Sequence, residues 1–438
     1  MANIFIYDEF HPEDNAMLQA LYSRSPKSVV EHVEKVKKSN SGKFMETFYL
    51  GYGHSSIADC GSTTIFIEKI SILADKAIQD WPLYSGQETS TRYIDMSQQE
   101  IIDPLGAPES KAILDKWMNF YINNQEKVKE HILKIYPCLP DEDEKMYLRA
   151  VNARVFDIMR SFLPAGITTQ LSWHTNLRQA GDKLALLKYH PMVEVKEIAN
   201  NILDKLKEKY QHSFGHKLYE QQEEYRKYIG QKYTYYNNLE RPKNDFFYSS
   251  EIKKEDLEKY KDLLDKRPIK TNLPQFLGEL GIINFDFILD FGSFRDIQRH
   301  RNGVCRMPLL TTEFGFNQWY LNQLPADLQK QAEKLIAEQK DLIAKLNVSP
   351  EETQYYIALG FNVNCRIAYG LPQAVYVTEL RSGKTVHPTL RKIAQNMHNS
   401  LKEIYPDMTL YSDLEEDDWD VRRGDQDIKT VDGKFLNS

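Results

Sequence analysis

Apolar residues recur at helical spacing in two long stretches of the chain. Ile113, Trp117, Phe120 and Tyr121 share one face in the first; Leu328, Leu335 and Leu342 are flanked by Ala332, Ile336 and Ile343 in the second. A stripe of this width predicts an amphipathic helix that buries it. Pro325, just before Ala326 and Asp327, marks the start of the second helix, because the fixed φ of proline suits a first turn where its missing N–H goes unneeded. Two other runs, Thr64–Glu68 and Phe285–Asp290, are rich in β-branched and aromatic residues and predict strands, each leading into a helix. Pro82 ends the first of those helices. The tract 211–253, with Tyr233, Tyr235, Tyr236 and the Asn237-Asn238 pair, reads as a junction.

The chain resembles itself. Residues 198–210 align without gaps to residues 393–405 with seven identities in thirteen, where chance gives about one. The same landmarks precede both: Leu163-Pro164, Asn176-Leu177-Arg178 and His190-Pro191 in the first half, Leu371-Pro372, Glu379-Leu380-Arg381 and His387-Pro388 in the second. Collinear landmarks predict a duplication, and each half mixes helix and strand. The expected fold class is therefore α+β, two tandem copies of one fold with the second divergent. The expected boundaries are 1–230 for the first repeat, 231–272 for the Tyr-rich junction, 273–410 for the second repeat and 411–438 for an acidic C-terminal tail.

Composition narrows this without changing it. At 438 residues the chain exceeds one ordinary domain, and 41% hydrophobic with 27% charged residues is the balance of a globular protein. A formal charge of −7 argues against a surface built to grip nucleic acid, while leaving room for a local anion site. Much of the acidic excess lies in residues 413–420, which read as solvated. Residues 1–9 carry neither a basic stretch nor a signal-length apolar run, and no segment holds eighteen uninterrupted apolar residues; the expectation is a cytoplasmic protein with no membrane partner. Cys60, Cys138, Cys305 and Cys365 are widely spaced, as structural thiols are. His212 and His216 share helical spacing without an HExxH pattern, so no metal is expected.

Two clusters carry candidate chemistry. Residues 85–93 crowd hydroxyls, an amide, a carboxylate and an arginine into one loop: Gln87, Glu88, Ser90 and Arg92. Such a loop is either a turn tied by local side-chain bonds or an anion site in which Ser90 and Arg92 hold a phosphate. Arg299-His300-Arg301 is the other; at a helix end these side chains fan around a diphosphate, although a basic run is more often solvated surface.

Together the two clusters resemble the flavin-dependent thymidylate synthase family, whose signature is Arg-His-Arg, then seven residues, then Ser with Arg-Tyr shortly after. Arg299-His300-Arg301 is similar to its front, and Ser90, Arg92 and Tyr93 to its back. Neither half has both: the first has Asp80-Trp81-Pro82 at the front, and the second has Leu309 in place of the serine. Gly53-His54-Ser55-Ser56 is similar to the family's His-x-Ser turn, with Ala58-Asp59 replacing the Glu-His pair that follows. Arg160 with Leu163-Pro164 resembles Arg-x-x-Leu-Pro, and Asn176-Leu177-Arg178 resembles Asn-x-Arg. About eleven residues after that asparagine the family has an arginine that promotes ionisation of the uracil ring; Leu187-Lys188 stands there instead.

The resemblance implies reductive methylation of dUMP to dTMP with FAD, NADPH and methylenetetrahydrofolate, at a site composed from both repeats and without a cysteine nucleophile. It assigns Gln87, Glu88, Ser90, Arg92 and Arg160 to the substrate, and His54, Ser55, Asn176, Arg178, Arg299, His300 and Arg301 to the cofactor. Lys188 would act on the ring. Family members are homotetramers, so a tandem chain is expected to form a homodimer that mimics one. Two alternatives stay open: C5 methylation of a different pyrimidine nucleotide, and a non-catalytic nucleotide- or flavin-binding paralogue.

Overall fold

A computed structural model describes residues 10–416, except 24, 26–27, 39–40, 48–55, 93, 141, 216 and 237–243. The architecture is mixed helix and antiparallel sheet, and it divides into two compact units, Met1–Thr89 with Thr169–Thr234, and Ser90–Thr168 with Tyr235–Ser438. The stretch 90–168 of the first half thus packs with the second half.

In the first unit a sheet runs in the order β1 (Ser62–Ser71), β3 (Thr168–Asn176), β2 (Ser85–Glu88). β2 lies antiparallel to β3, with Ser85 opposite His174 and Glu88 opposite Leu171. Gly86 is required there, because a Cβ would sit 1.9 Å from the Ser172 carbonyl oxygen. β1 ends on Ser71, whose hydroxyl caps the helix Ile72–Gln79 by accepting the Ala74 N–H at 3.0 Å. β3 ends on Asn176, which caps the helix Leu177–Leu187 by accepting the Gln179 N–H at 2.8 Å. That helix packs on Val193–Lys209, which buries Val195, Ala199, Ile202 and Leu206 along one stripe.

The second unit holds a sheet ordered β4 (Phe246–Ser250), β5 (Ile282–Asp290), β7 (Asn362–Gly370), β6 (Val304–Cys305). β4 comes from the tract that reads as a junction in sequence, and a helix, Glu220–Tyr233, occupies the same tract in the first unit. β5 and β7 pair along their full length, from Ile282 opposite Gly370 to Asp290 opposite Asn362. The two long helices are where periodicity predicts them. Pro108–Ile135 buries Ile113, Trp117 and Tyr121, and Ala326–Ile343 buries Leu328, Ala332 and Ile343. Trp117 donates its indole N–H to the Tyr356 carbonyl at 3.0 Å, satisfying a polar group inside the core.

The order of elements recurs. β1, the helix Ile72–Gln79, β2, the helices Pro108–Ile135 and Glu144–Met159, the 3-10 turn Arg160–Phe162, β3 and the helices Leu177–Leu187 and Val193–Lys209 are matched by β5, Phe291–Ile297, β6, Ala326–Ile343 and the short Pro350–Thr353, Gln354–Tyr356, β7, Leu371–Ser382 and Pro388–Ile404, with Gln318–Asn322 as an addition in the second series. The self-similar segments fall on the last helix of each series, and Ala199, Ile202 and Leu206 are buried as Ala394, Met397 and Leu401 are. Setting Thr168, the first residue of β3, on Asn362, the first of β7, places Pro164 on Ala358. Inside the second unit those two residues are antiparallel partners, with Ala165 N–H donating to Ile357 O and Leu359 N–H to Leu163 O, both at 2.9 Å. Among the described residues no helix is long and apolar enough to cross a membrane.

Candidate functional site

The second unit gathers arginines from both sequence halves. Ser90–Arg92 follows β2; Arg154, Asp157 and Arg160 lie on the helix Glu144–Met159 and the turn after it. From the second half, β5 ends on Asp290, which caps the helix Phe291–Ile297 through the Ser293 N–H at 2.8 Å. That short helix carries Arg295 and Asp296, and its end releases Arg299-His300-Arg301.

Arg92 does not stand free for a phosphate. Its guanidinium grips Asp157, fully buried, with Nε to Oδ1 at 2.7 Å and Nη2 to Oδ2 at 3.1 Å. A third contact runs from Nη2 to the Thr385 carbonyl at 3.4 Å. The Ser90 hydroxyl accepts the Arg92 N–H at 3.2 Å, a local turn bond. Arg160, 2% exposed, donates Nη2 to the Ser293 hydroxyl at 3.0 Å, and its buried Nε has no hydrogen-bond partner among the described residues. Arg295 donates to the Thr91 hydroxyl at 3.1 Å. Arg381 donates Nε to His300 Nε2 at 2.7 Å and Nη2 to the Asp296 carbonyl at 2.8 Å.

The histidines here are neutral. Burial, then the Arg381 charge, pushes His300 down to about 3, and the bond it accepts at Nε2 puts its proton on Nδ1. Burial, with Arg160, Arg92 and Arg154 nearby, holds His387 well below the ordinary imidazole range. Its Nδ1 accepts the Thr389 N–H at 3.4 Å, so Nε2 bears the proton and faces the Asp157 carbonyl at 3.5 Å. Burial alone would raise Asp296, but Arg299, Arg92, Arg381 and Arg160 outweigh it and hold the carboxyl below its usual range. Arg299, Arg92, Arg381 and Arg160 thus act together on the Asp296 carboxyl, and Arg160, Arg92 and Arg154 on the neutral His387. A partly buried gathering of arginines of this kind suits an anionic ligand such as a phosphate. Trp319 closes one side, its ring 4.8 Å from that of His387 and 5.8 Å from the Arg154 guanidinium.

Of the remaining expected residues, those described lie in the first unit, and Glu88, Asn176, Arg178 and Lys188 are paired within it. Glu88, buried, accepts from Lys76 Nζ and Gln79 Nε2, each at 2.6 Å. Gln87 lines a shallow cavity of about 270 Å³ with Phe66, Glu68 and Gln170. Asn176 is a helix cap, and Arg178 is held by Asp59 at 2.8 Å and Asp182 at 3.5 Å. Lys188 pairs with Glu223, to which Tyr189 and Arg226 also donate. His54 and Ser55 lie outside the described residues, as does His216; His212 bonds to Glu46 at 2.7 Å.

Sequence reading passed over Asp157, met Arg295 only as the start of the basic run, and used Arg381 and His387 only as landmarks of the repeat. The alignment of β3 with β7 was the available signal for Arg381: it places Asn176 on Gly370, and Arg381 then stands where Leu187 stands in the first half. Glycine at 370 hid the correspondence.

Residues 8–210 match the model of a family described as thymidylate synthase complementing protein. A UPF0159 protein of Chlamydia muridarum is 26% identical over 417 residues, which cover 81% of this chain and 77% of its own length. A UPF0159 protein of Thermoplasma acidophilum is 23% identical over 473 residues, 90% of this chain and 94% of its own. A third, from Chlamydia pneumoniae, is 22% identical over 431 residues, with 83% and 80% covered.

Proposed function

We propose that this chain, whose residues 8–210 belong to the thymidylate synthase complementing family, catalyses flavin-dependent reductive methylation of dUMP, at a site whose residues come from both sequence halves. The observation that supports the reading is the gathering of arginines in the second unit, where Arg295 donates to Thr91, Arg160 donates to Ser293, and Arg299, Arg92, Arg381 and Arg160 act together on Asp296. A duplicated origin is supported by the recurring element order and by the pairing of Pro164 with its counterpart Ala358. Assembly into a homodimer follows from the same reading.

Arg160 and Arg295 hold the phosphate of the nucleotide, with the unsatisfied Arg160 Nε as a donor waiting for an anion. Arg299 and Arg301, just past a helix end, would hold the diphosphate of FAD. Bound flavin would supply hydride from NADPH, and methylenetetrahydrofolate the carbon; the protein contributes orientation and charge. Arg381, in place of Lys188, favours the ionised uracil ring, and His300 orients its guanidinium without neutralising it.

Two measurements test this. Purified protein is expected to show a flavin spectrum that bleaches on adding NADPH, and to release label from C5 of dUMP. Nucleotide binding without flavin and without label release would establish the non-catalytic paralogue instead.

A further inference from the structure

The chain does not leave the fold after the helix Pro388–Ile404. Met408 is buried, and the segment from Thr409 lies along the end of the helix Leu371–Ser382, with the Tyr411 N–H donating to Glu379 at 2.9 Å. Arg267 donates to the Thr409 carbonyl at 3.0 Å, and the Tyr411 hydroxyl donates to the Arg267 carbonyl at 2.7 Å. Asp413 is the centre of the next group. Its N–H donates to the Ser382 hydroxyl at 3.0 Å, and its carboxylate accepts from Arg391, 3% exposed, at 2.9 Å. Arg391 in turn donates Nε to the Ser382 carbonyl at 2.7 Å. Gln395 reaches the carbonyls of Asp413 at 3.4 Å and Glu415 at 3.1 Å, and Lys384 pairs with Glu415 at 2.5 Å. Acidic residues that read as a solvated tail are, at 413 and 415, partners of basic groups.

These contacts converge on the loop 382–387, and the other side of that loop belongs to the arginine cluster. Thr385 offers its carbonyl to Arg92, while His387 meets Asp157, Ser293 at 3.2 Å and Thr389 at 2.8 Å. We propose that the strap 409–415 positions the loop 382–387 for anion binding, with Asp413 as the positioning residue. The inference rests on the proposed anion site. A loop ordered before the ligand arrives removes its ordering entropy from the binding step, and a released loop would restore it. Neither Asp413 nor Glu415 needs to touch the ligand for this.

The test is calorimetric titration with inorganic pyrophosphate of the full chain and of its Asp413→Ala, Asp413→Glu and Glu415→Gln variants. Asp413→Ala is expected to bind about tenfold more weakly at unchanged stoichiometry. Amide hydrogen exchange should quicken within 383–387, and Asp413→Glu should recover most of the affinity. Glu415→Gln alters a solvent-facing pair and keeps the idea testable if Asp413→Ala does not fold; its expected loss is about threefold. Wild-type affinity in the variants that fold would overturn the positioning role alone. Absence of pyrophosphate binding by the wild type would remove the proposed function and this inference with it.

Discussion

Arg92 and Arg160 resemble each other in sequence as candidate phosphate ligands, yet their surroundings give them different work. Arg92 is bound bidentately to a fully buried aspartate, so Arg92→Met removes a charged, two-point hydrogen bond and should destabilise the protein by about 1.5–3 kcal/mol. Arg160 still has an unsatisfied donor, and Arg160→Met should instead weaken dUMP affinity by about tenfold or more, the loss of a charged hydrogen bond. Denaturant unfolding and nucleotide titration of both variants separate the roles; a reversal of the two outcomes would reassign them.

The buried histidines give a pH signature. His300 falls to about 3 in the folded chain from an ordinary value near 6.5, and His387 moves the same way. Between those values the unfolded chain binds the extra protons, so the contribution is complete above about pH 6.5 and is lost as the pH falls toward the folded value. The expected slope is about 1.4 kcal/mol per pH unit per histidine. Urea midpoints at pH 7 and pH 5 measure it, and His300→Asn should flatten the dependence. An unchanged slope in that variant would mean His300 is not a buried neutral group.

At the scale of elements, the helices that follow β1 and β5 begin alike and end differently. Both are capped at the strand end, by Ser71 and Asp290, and both carry a cation in the second turn, Lys76 and Arg295. In the first unit that cation is neutralised within the unit by Glu88, with Lys76 1% and Glu88 4% exposed at the side chain. Ser71 is likewise taken by Glu194, which accepts its N–H at 2.8 Å and its hydroxyl at 2.5 Å. Asp75, also buried, stays 3.4 Å from Lys76, so Glu88→Ala should cost about 1–3 kcal/mol by removing one of two carboxylate partners, while Glu88→Gln, which keeps an acceptor there, should cost less. Thermal unfolding of the two variants decides this; equal losses in both would show that the charge of Glu88, and not its hydrogen bonds, governs the pair.

At the scale of the whole chain, this difference predicts one anionic ligand per polypeptide, despite two similar series of elements. Carboxylates already occupy the cation of the first series, whereas the second unit gathers Arg299, Arg92, Arg381 and Arg160 around Asp296. Equilibrium titration with dUMP should give a stoichiometry near one, and a value near two would show that the first unit binds as well.

Local pattern was enough for the long helices and the strands before residues 72 and 291, because burying a stripe or capping a strand end is settled by neighbours in sequence; it did not give the register between the two series, since the element order sets Pro164 on Ala358 and not on Pro372. It also drew attention to Ser90, Arg92 and Arg299–Arg301, where cations and hydroxyls cluster; Arg160 entered through the family resemblance alone. Which of these share a unit was beyond it: the stretch 90–168 packs with the second half, a partition set by contacts distant in sequence. Tertiary structure alone paired Arg92 with Asp157, freed Arg160 Nε, turned Asp413 from a solvated charge into the partner of a buried arginine, and set Arg381 beside His300. The reason is that an ionisable side chain takes its role from the charges and solvent around it, and the sequence carries the charge but not the surroundings.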